Sequence, residues 1–310
     1  MKRLLAATAA VLVLAGCGGY DATVVPPPSQ TPAPAAPVTT KPCTNDGTEV
    51  RSYDPAEGSR DGADVQRIRE RGRLVAGVAA DTLLLGARNP DTGDLEGFDI
   101  DMANAIAAEI FGTAEGHVEF KVITAADRIK FLQNGTIDVV ARNMTVNCAR
   151  WQLIAFSQVY FDAGQKVLVG KGSGITSIED LAGKRICAPT GTTSIDNIQK
   201  IAPDAIPVEA GDNSACMIKF QNGEADGVST DDTVLAGLAA QDPYAVVLDT
   251  APLTREPYGI GVNKDNVSLV RLINGVLEDM RRDGRWQQYY DATLRPFLGK
   301  GQQPAPLYGR

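Results

Sequence analysis

Thr190-Gly191-Thr192-Thr193-Ser194 is a stretch of this sequence that could hold an anion. It follows a strand pattern at 184–188 and opens a helix pattern at 192–201. Free backbone N–H groups and the positive end of a helix dipole meet at such a turn. A plain helix cap would use the same residue types. Five cysteines offer the next chemistry: Cys17, Cys43, Cys148, Cys187 and Cys216. With Cys17 assigned elsewhere (below), four remain, and three pairings are possible. A catalytic cysteine has no histidine beside it, because the chain has one histidine, His117. That excludes His-pair metal sites and argues against a His-based triad. No metal and no cofactor is expected.

The chain has 310 residues, enough for about two domains of ordinary size. Apolar residues make up 44% and charged residues 22%, a globular composition. Lys+Arg 30 against Asp+Glu 38 gives a net charge of −8. An acidic chain is a poor partner for nucleic acid or an anionic membrane surface, so no nucleic-acid partner is expected.

The amino end reads as an export signal. Met1-Lys2-Arg3 is a basic start, and the apolar run from Leu4 to Ala15 is too short to span a bilayer. Leu14-Ala15-Gly16-Cys17 resembles a bacterial lipobox, with cleavage before Cys17 and a diacylglyceryl group on its sulfur. Two acyl chains suffice for stable anchoring. Residues 1–16 are therefore expected to be a lipoprotein signal peptide, and 17–48 the anchor and tether. Pro26, Pro27, Pro28, Pro32, Pro34, Pro37 and Pro42 make that tether extended and partly stiff. The expected location is the extracytoplasmic face of the cell membrane, where disulfides form. Residues 299–310, with Pro304 and Pro306, read as a disordered tail.

Between these ends, strand and helix patterns alternate. Strands are expected at 74–78, 118–123 and 138–141, with helices at 98–110 and 126–133. A second series has strands at 166–169, 184–188 and 226–230 and helices at 192–201, 213–221 and 232–240. Such βα alternation implies mainly parallel sheets flanked by helices. The pattern QNGxxDxV occurs twice, beginning at Gln133 and at Gln221, 88 residues apart (221 − 133). Physically it is a helix stopped by Asn-Gly, then a turn into a strand. Two pseudo-equivalent lobes follow from the echo, each with a site at the carboxyl end of its strand.

Gly97-Phe98-Asp99-Ile100-Asp101-Met102, followed by Ile106-Ala107 and Ile110, resembles the signature of polar-amino-acid solute-binding proteins. Similarity to the family runs from about Arg73 to Leu294. The resemblance implies an α/β fold of type II periplasmic-binding-protein form. Two lobes, joined by two crossover strands, would close like a clamshell on one amino acid. Lobe 1 would comprise residues 60–161 and 256–298, and lobe 2 residues 162–255. In the signature, Phe98 and Ile100 are expected to pack the helix on the sheet and Asp99 to cap it.

A free amino acid needs an arginine and backbone N–H groups for its carboxylate, and a carboxylate for its ammonium. By resemblance, Arg150 falls on the carboxylate-binding arginine, Thr145 on a ligand-contacting hydroxyl and Asn143 on a backbone contact. Gly191, Thr192 and Thr193 would grip the same carboxylate from lobe 2. Asp231, five residues beyond Asp226, falls on the ammonium-binding aspartate, with Asp232 the neighbouring contender. Arg128 resembles an arginine of glutamate and aspartate binders; Arg88 and Arg142 are weaker candidates for the side chain. The lobe assignment puts Cys187 and Cys216 together and leaves Cys43 to staple the tether to Cys148. Closing the 187–216 loop is worth roughly 3–4 kcal/mol.

The expected function is capture of glutamate or aspartate, then asparagine or glutamine, by a monomeric lipoprotein that serves the membrane permease of an ABC-type importer. A sensor signalling to a membrane partner is the alternative. A dehydratase-type enzyme on the same fold ranks lower, and the protein is expected not to be an enzyme.

Overall fold

A computed structural model describes residues 43–310. The signal segment, Cys17 and the tether up to Pro42 lie outside the described residues. The described residues form one compact unit.

Helix α1 (Ala63–Arg71) leads into strand β1 (Leu74–Val78) and a small ribbon of β2 (Asp81–Thr82), β3 (Gly86–Arg88) and β4 (Leu95–Glu96). Helix α2 (Phe98–Phe111), β5 (Val118–Val122), α3 (Arg128–Gln133), β6 (Val139–Val140) and the short α4 (Cys148–Trp151) complete the first series. A long strand, β7 (Ala155–Gly170), crosses to β8 (Arg185–Pro189), α5 (Thr193–Ile201), β9 (Ile206–Ala210) and α6 (Asn213–Gln221). Next come β10 (Gly227–Asp231), α7 (Asp232–Gln241) and β11 (Ala245–Val247). Strand β12 (Arg255–Val262) returns, and α8 (Val267–Asp283), α9 (Arg285–Thr293) and α10 (Arg295–Leu298) follow.

The strands run in the order β5-β1-β6-β12-β7-β10-β8-β9. β1 is parallel to β5 and β6, and β8 is parallel to β9 and β10. β7 and β12 are antiparallel to the strands beside them. β7 pairs with β12 up to Gly164 and with β10 from Gln165 onward. One continuous strand thus enters both parallel sheets, and β12 runs back beside it. The result is two α/β lobes joined by two crossover strands.

The repeated pattern does the same work in each lobe. Asp138 Oδ2 accepts the backbone N–H of Val75 at 2.8 Å and also pairs with Arg71. Asp226 Oδ2 accepts the N–H of Arg185 at 2.8 Å and pairs with the Arg185 guanidinium. Each aspartate pins its strand to the start of the parallel neighbour that it follows in the sheet.

Phe98 lies at the centre of lobe 1. Its ring meets Trp286 edge-on at 5.5 Å, and Trp286 stacks on Tyr290 at 5.2 Å. Gly97 starts the helix at φ +128°, and a Cβ there would sit 2.6 Å from the Leu85 carbonyl. Only glycine allows that close approach. Asp99 does not cap this helix; its side chain is drawn inward, as described below.

Cys43 is bonded to Cys148, and Cys187 to Cys216. The carboxyl end differs from expectation. Residues 299–310 pack against lobe 1 instead of forming a loose tail. Gln303 donates to the Leu277 carbonyl, Tyr308 donates to Glu278, and the Arg310 guanidinium lies 3.9 Å from the Trp151 ring centroid. Pro304 and Pro306 keep the segment extended, and its polar and aromatic side chains find partners on α8 and on 48–53.

Candidate functional site

One cavity between the lobes is lined by Arg128, Arg142, Asn143, Thr145 and Arg150 from lobe 1. Thr192, Thr193, Ser194, Asp212, Asn213 and Asp231 line it from lobe 2. The carboxyl ends of β6 and β10 bring Asn143 and Asp231 to it. Both lie five residues beyond the aspartate of their repeat (143 − 138 and 231 − 226), so they are pseudo-equivalent.

Arg150 is held from both sides. Its Nη1 donates to the Thr145 carbonyl at 2.7 Å, and its backbone N–H is capped by Asn147 Oδ1 at 2.8 Å. Burial pushes its pKa down, while Glu256 and Asp231 nearby favour its charge. Asp231 Oδ2 accepts the Tyr258 hydroxyl at 2.6 Å. Burial, then the Glu256 carboxylate, pushes the Asp231 pKa up to about 8. Asp232 is turned away from the cavity; its Oδ1 accepts the N–H of Thr233 at the start of α7.

Asp99 Oδ2 accepts the backbone N–H of Asn143, and its Oδ1 accepts the Tyr160 hydroxyl. The expectation of a helix cap therefore fails. A residue buried this deeply serves the site loop, and burial raises its pKa to about 6. Asn143 itself sits at φ +35°, in the left-handed region where a side chain is uncommon.

Arg128 lines the cavity, but most of its donors are already engaged. Nε donates to Ala125 O at 2.9 Å, Nη1 to Arg142 O at 3.1 Å and Asn143 O at 3.4 Å, and Nη2 to Gly191 O at 3.1 Å. It thus ties the β6 loop of lobe 1 to the β8–α5 turn of lobe 2. Burial, then Arg150 and Arg142, pushes its pKa far down. Arg88 lies outside the cavity lining and donates to the Gly93 carbonyl in its own hairpin.

The β8–α5 turn approaches lobe 1 through Gly191. At φ +73°, a Cβ there would sit 2.7 Å from Ala126 Cα. Thr192 donates to the Pro189 carbonyl at 2.7 Å. The N–H groups of the first turn of α5 therefore remain available to an anion.

Glu256, on β12, joins the lobes at one carboxylate. Its Oε2 accepts the hydroxyls of Thr145 and Thr193, each at 2.7 Å. Its Oε1 accepts Thr254 Oγ1 at 2.6 Å and Asn197 Nδ2 at 2.9 Å. Neither Glu256 nor Tyr258 is legible as a site residue in the sequence, where β12 shows no alternation of its own. Asn213 is equally illegible as a site residue, although Asp212-Asn213 carries a helix-start signal.

Among the described residues, four buried polar atoms at this cavity have no hydrogen-bond partner: Arg142 Nε, Asn143 Oδ1, Asn213 Oδ1 and Asp231 Oδ1. Buried polar groups are nearly always satisfied, so four at one place mark where a polar ligand fits.

Relatives sharpen this picture. The glutamine-binding protein GlnH of a Bacillus subtilis ABC transporter is 41% identical over 74% of this chain and 83% of its own. The glutamate-binding protein GluB of Corynebacterium efficiens is 32% identical over 73% and 80%. An ancestral arginine-binding protein solved with arginine has a TM-score of 0.67 and 36% identity, covering 72% of this chain and 99% of its own. Residues 74–295 match the profile of one family, and with these lobes and this cleft the chain belongs to the bacterial extracellular solute-binding proteins, family 3.

Proposed function

We propose that the protein captures a free amino acid with an acidic side chain, glutamate or aspartate, and delivers it to an ABC importer. The carrying observation is the convergence of Arg128, Arg142, Arg150 and Asp231 on one buried cavity. Arg150 and Arg142 crowd Arg128 with positive charge, which the two carboxylates of an acidic amino acid relieve. Arg150 and the first turn of α5 take the α-carboxylate. Asp231 Oδ1, which has no partner among the described residues, takes the α-ammonium.

Lobe limits at 161/162 and 255/256 place the hinge in β7 and β12, close to where β7 changes partners. A lipid on Cys17 would hold the protein at the extracytoplasmic face. Asparagine or glutamine is the second reading, favoured by the 41% identity to a glutamine-binding relative. The names of the relatives above describe binding, in keeping with a protein that captures and releases its ligand unchanged.

Calorimetric titration of the purified protein with the twenty amino acids tests this. An acidic amino acid at 100 times its Kd should stabilise the fold by about 2.7 kcal/mol. Failure of every amino acid to bind would overturn the reading.

A further inference from the structure

Three of the four unpartnered atoms are not used by the amino-acid backbone as assigned above. Arg142 Nε and Asn143 Oδ1 come from the loop that leaves β6 in lobe 1. Asn213 Oδ1 comes from the first residue of α6 in lobe 2. Arg142 and Asn213 are each only 3% exposed. The two sides of the cavity thus offer an unused donor and an unused acceptor.

The other charged groups at the cavity have work already. Arg128 is spent on four backbone carbonyls. Arg150 holds the Thr145 carbonyl, and Asp231 accepts from Tyr258. Asp212 Oδ1 caps α6 by accepting the Ala215 N–H at 2.7 Å. Arg142 differs. Burial pushes its pKa down, while the carboxylates of Asp81, Asp99 and Asp212 near it favour its charge, and a guanidinium stays protonated.

A planar head group with two polar atoms satisfies both sides at once. We propose that Arg142 and Asn213, from opposite lobes, bind the head group at the end of the ligand's side chain. Arg142 donates to one oxygen of that head group. Asn213 turns about its last torsion to suit the other atom. With Oδ1 toward the ligand, it accepts the N–H of a carboxamide; with Nδ2 toward the ligand, it donates to a carboxylate. One pocket then takes both the acid and its amide, and Arg142 supplies the preference for the acid. The Asn143 carboxamide lines the same cavity. This rests on the reading that the cavity takes an amino acid.

The test is titration calorimetry with glutamate, glutamine and alanine, which has the backbone groups without the head group. The proteins are wild type, Asn213→Asp and Arg142→Met, each checked by its melting curve. Asn213→Asp can only accept, and it places like charge beside an acid. It should weaken glutamate by more than about a hundredfold and leave glutamine much less affected. Arg142→Met should weaken glutamate at least about tenfold more than glutamine, with alanine unchanged. Should Asn213→Asp fail to fold, Asn213→Ser removes the carboxamide and should weaken acid and amide alike, sparing alanine. Equal losses for glutamate and glutamine in Asn213→Asp, or an alanine loss as large as theirs, would overturn the head-group assignment. Wild-type protein that binds none of the three and no other amino acid would overturn the amino-acid reading together with it.

Discussion

The Asp99 carboxylate accepts the backbone N–H of Asn143 at 2.8 Å, joining the signature helix to the ligand loop across 44 residues of sequence. Asn143 is held at φ +35° there, with its side chain facing the cavity. The acidic residue of the signature thus acts on the site from behind. Tyr160 supports it with a hydrogen bond of 2.6 Å, much as Tyr258 supports Asp231 in the other lobe.

Arg150→Ala and Asp231→Ala should each weaken every amino acid alike. Each removal leaves a ligand charge desolvated and unpaired, which costs about 3–5 kcal/mol. That is roughly two to three and a half orders of magnitude in Kd. Titration of several amino acids against each variant checks it, and unchanged binding in Arg150→Ala would undo the site assignment.

Gly191→Ala should keep the lobes from closing fully. The added methyl would meet Ala126 Cα at 2.7 Å, a backbone atom that cannot step aside alone. Overpacking of this kind costs about 1–3 kcal/mol, so affinity should fall roughly 5–150-fold for every ligand. Alanine at φ +73° is itself strained, so the melting temperature of the ligand-free protein should also fall, and the loss of affinity is read against that shift. Small-angle scattering with ligand present should show a more open molecule than wild type.

Stability should depend on pH through two buried aspartates. Asp231 is raised from 3.8 to about 8, and Asp99 from 3.8 to about 6, chiefly by burial. A raised folded pKa gives stability that is full below the unfolded value and lost as pH rises through the folded one. The contribution of these two groups should therefore decline between pH 4 and 8 in the ligand-free protein. Asp231→Asn should flatten the decline between pH 6 and 8. Ligand ammonium favours ionised Asp231, so affinity should rise with pH across that window, with proton release seen by calorimetry in buffers of different ionisation heat.

Reduction of Cys187–Cys216 should destabilise lobe 2 by roughly 3–4 kcal/mol. Cys43–Cys148 sits beside α4, whose Trp151 donates to the Glu49 carbonyl at 2.6 Å. Its loss should raise hydrogen exchange in 43–53 and in α4 before it unfolds the body. Nonreducing peptide mapping that recovered Cys43 with Cys187 would refute both pairings.

Cys17→Ser should release the protein from membranes or leave its signal uncleaved. Metabolic labelling with a fatty acid checks this, and persistent label on the variant would refute lipid attachment at Cys17.

Local pattern carried much of the architecture. Leu74–Val78 forms the strand its five apolar or small residues imply, and Asn213–Gln221 the helix implied by its spacing. Such elements are legible because periodicity records which face is buried, and capping and turn residues act on their own neighbours. The QNGxxDxV echo was readable for the same reason: each copy is a helix stop, a turn and a strand start within eight residues. Burial periodicity does not record which partner a buried polar group meets. Asp99 reads as a helix cap until Asn143 arrives from 44 residues away. Glu256 lies 111 residues from Thr145 and 63 from Thr193, and only the crossing of β12 brings the three together. On paper Arg128 is the stronger candidate cation for the ligand side chain and Arg142 the weaker. The packed lobes engage the donors of the first with backbone carbonyls and leave Nε of the second unpartnered among the described residues. Partner choice is a property of three-dimensional packing, because a hydrogen bond acts over about 3 Å of space whatever the separation along the chain.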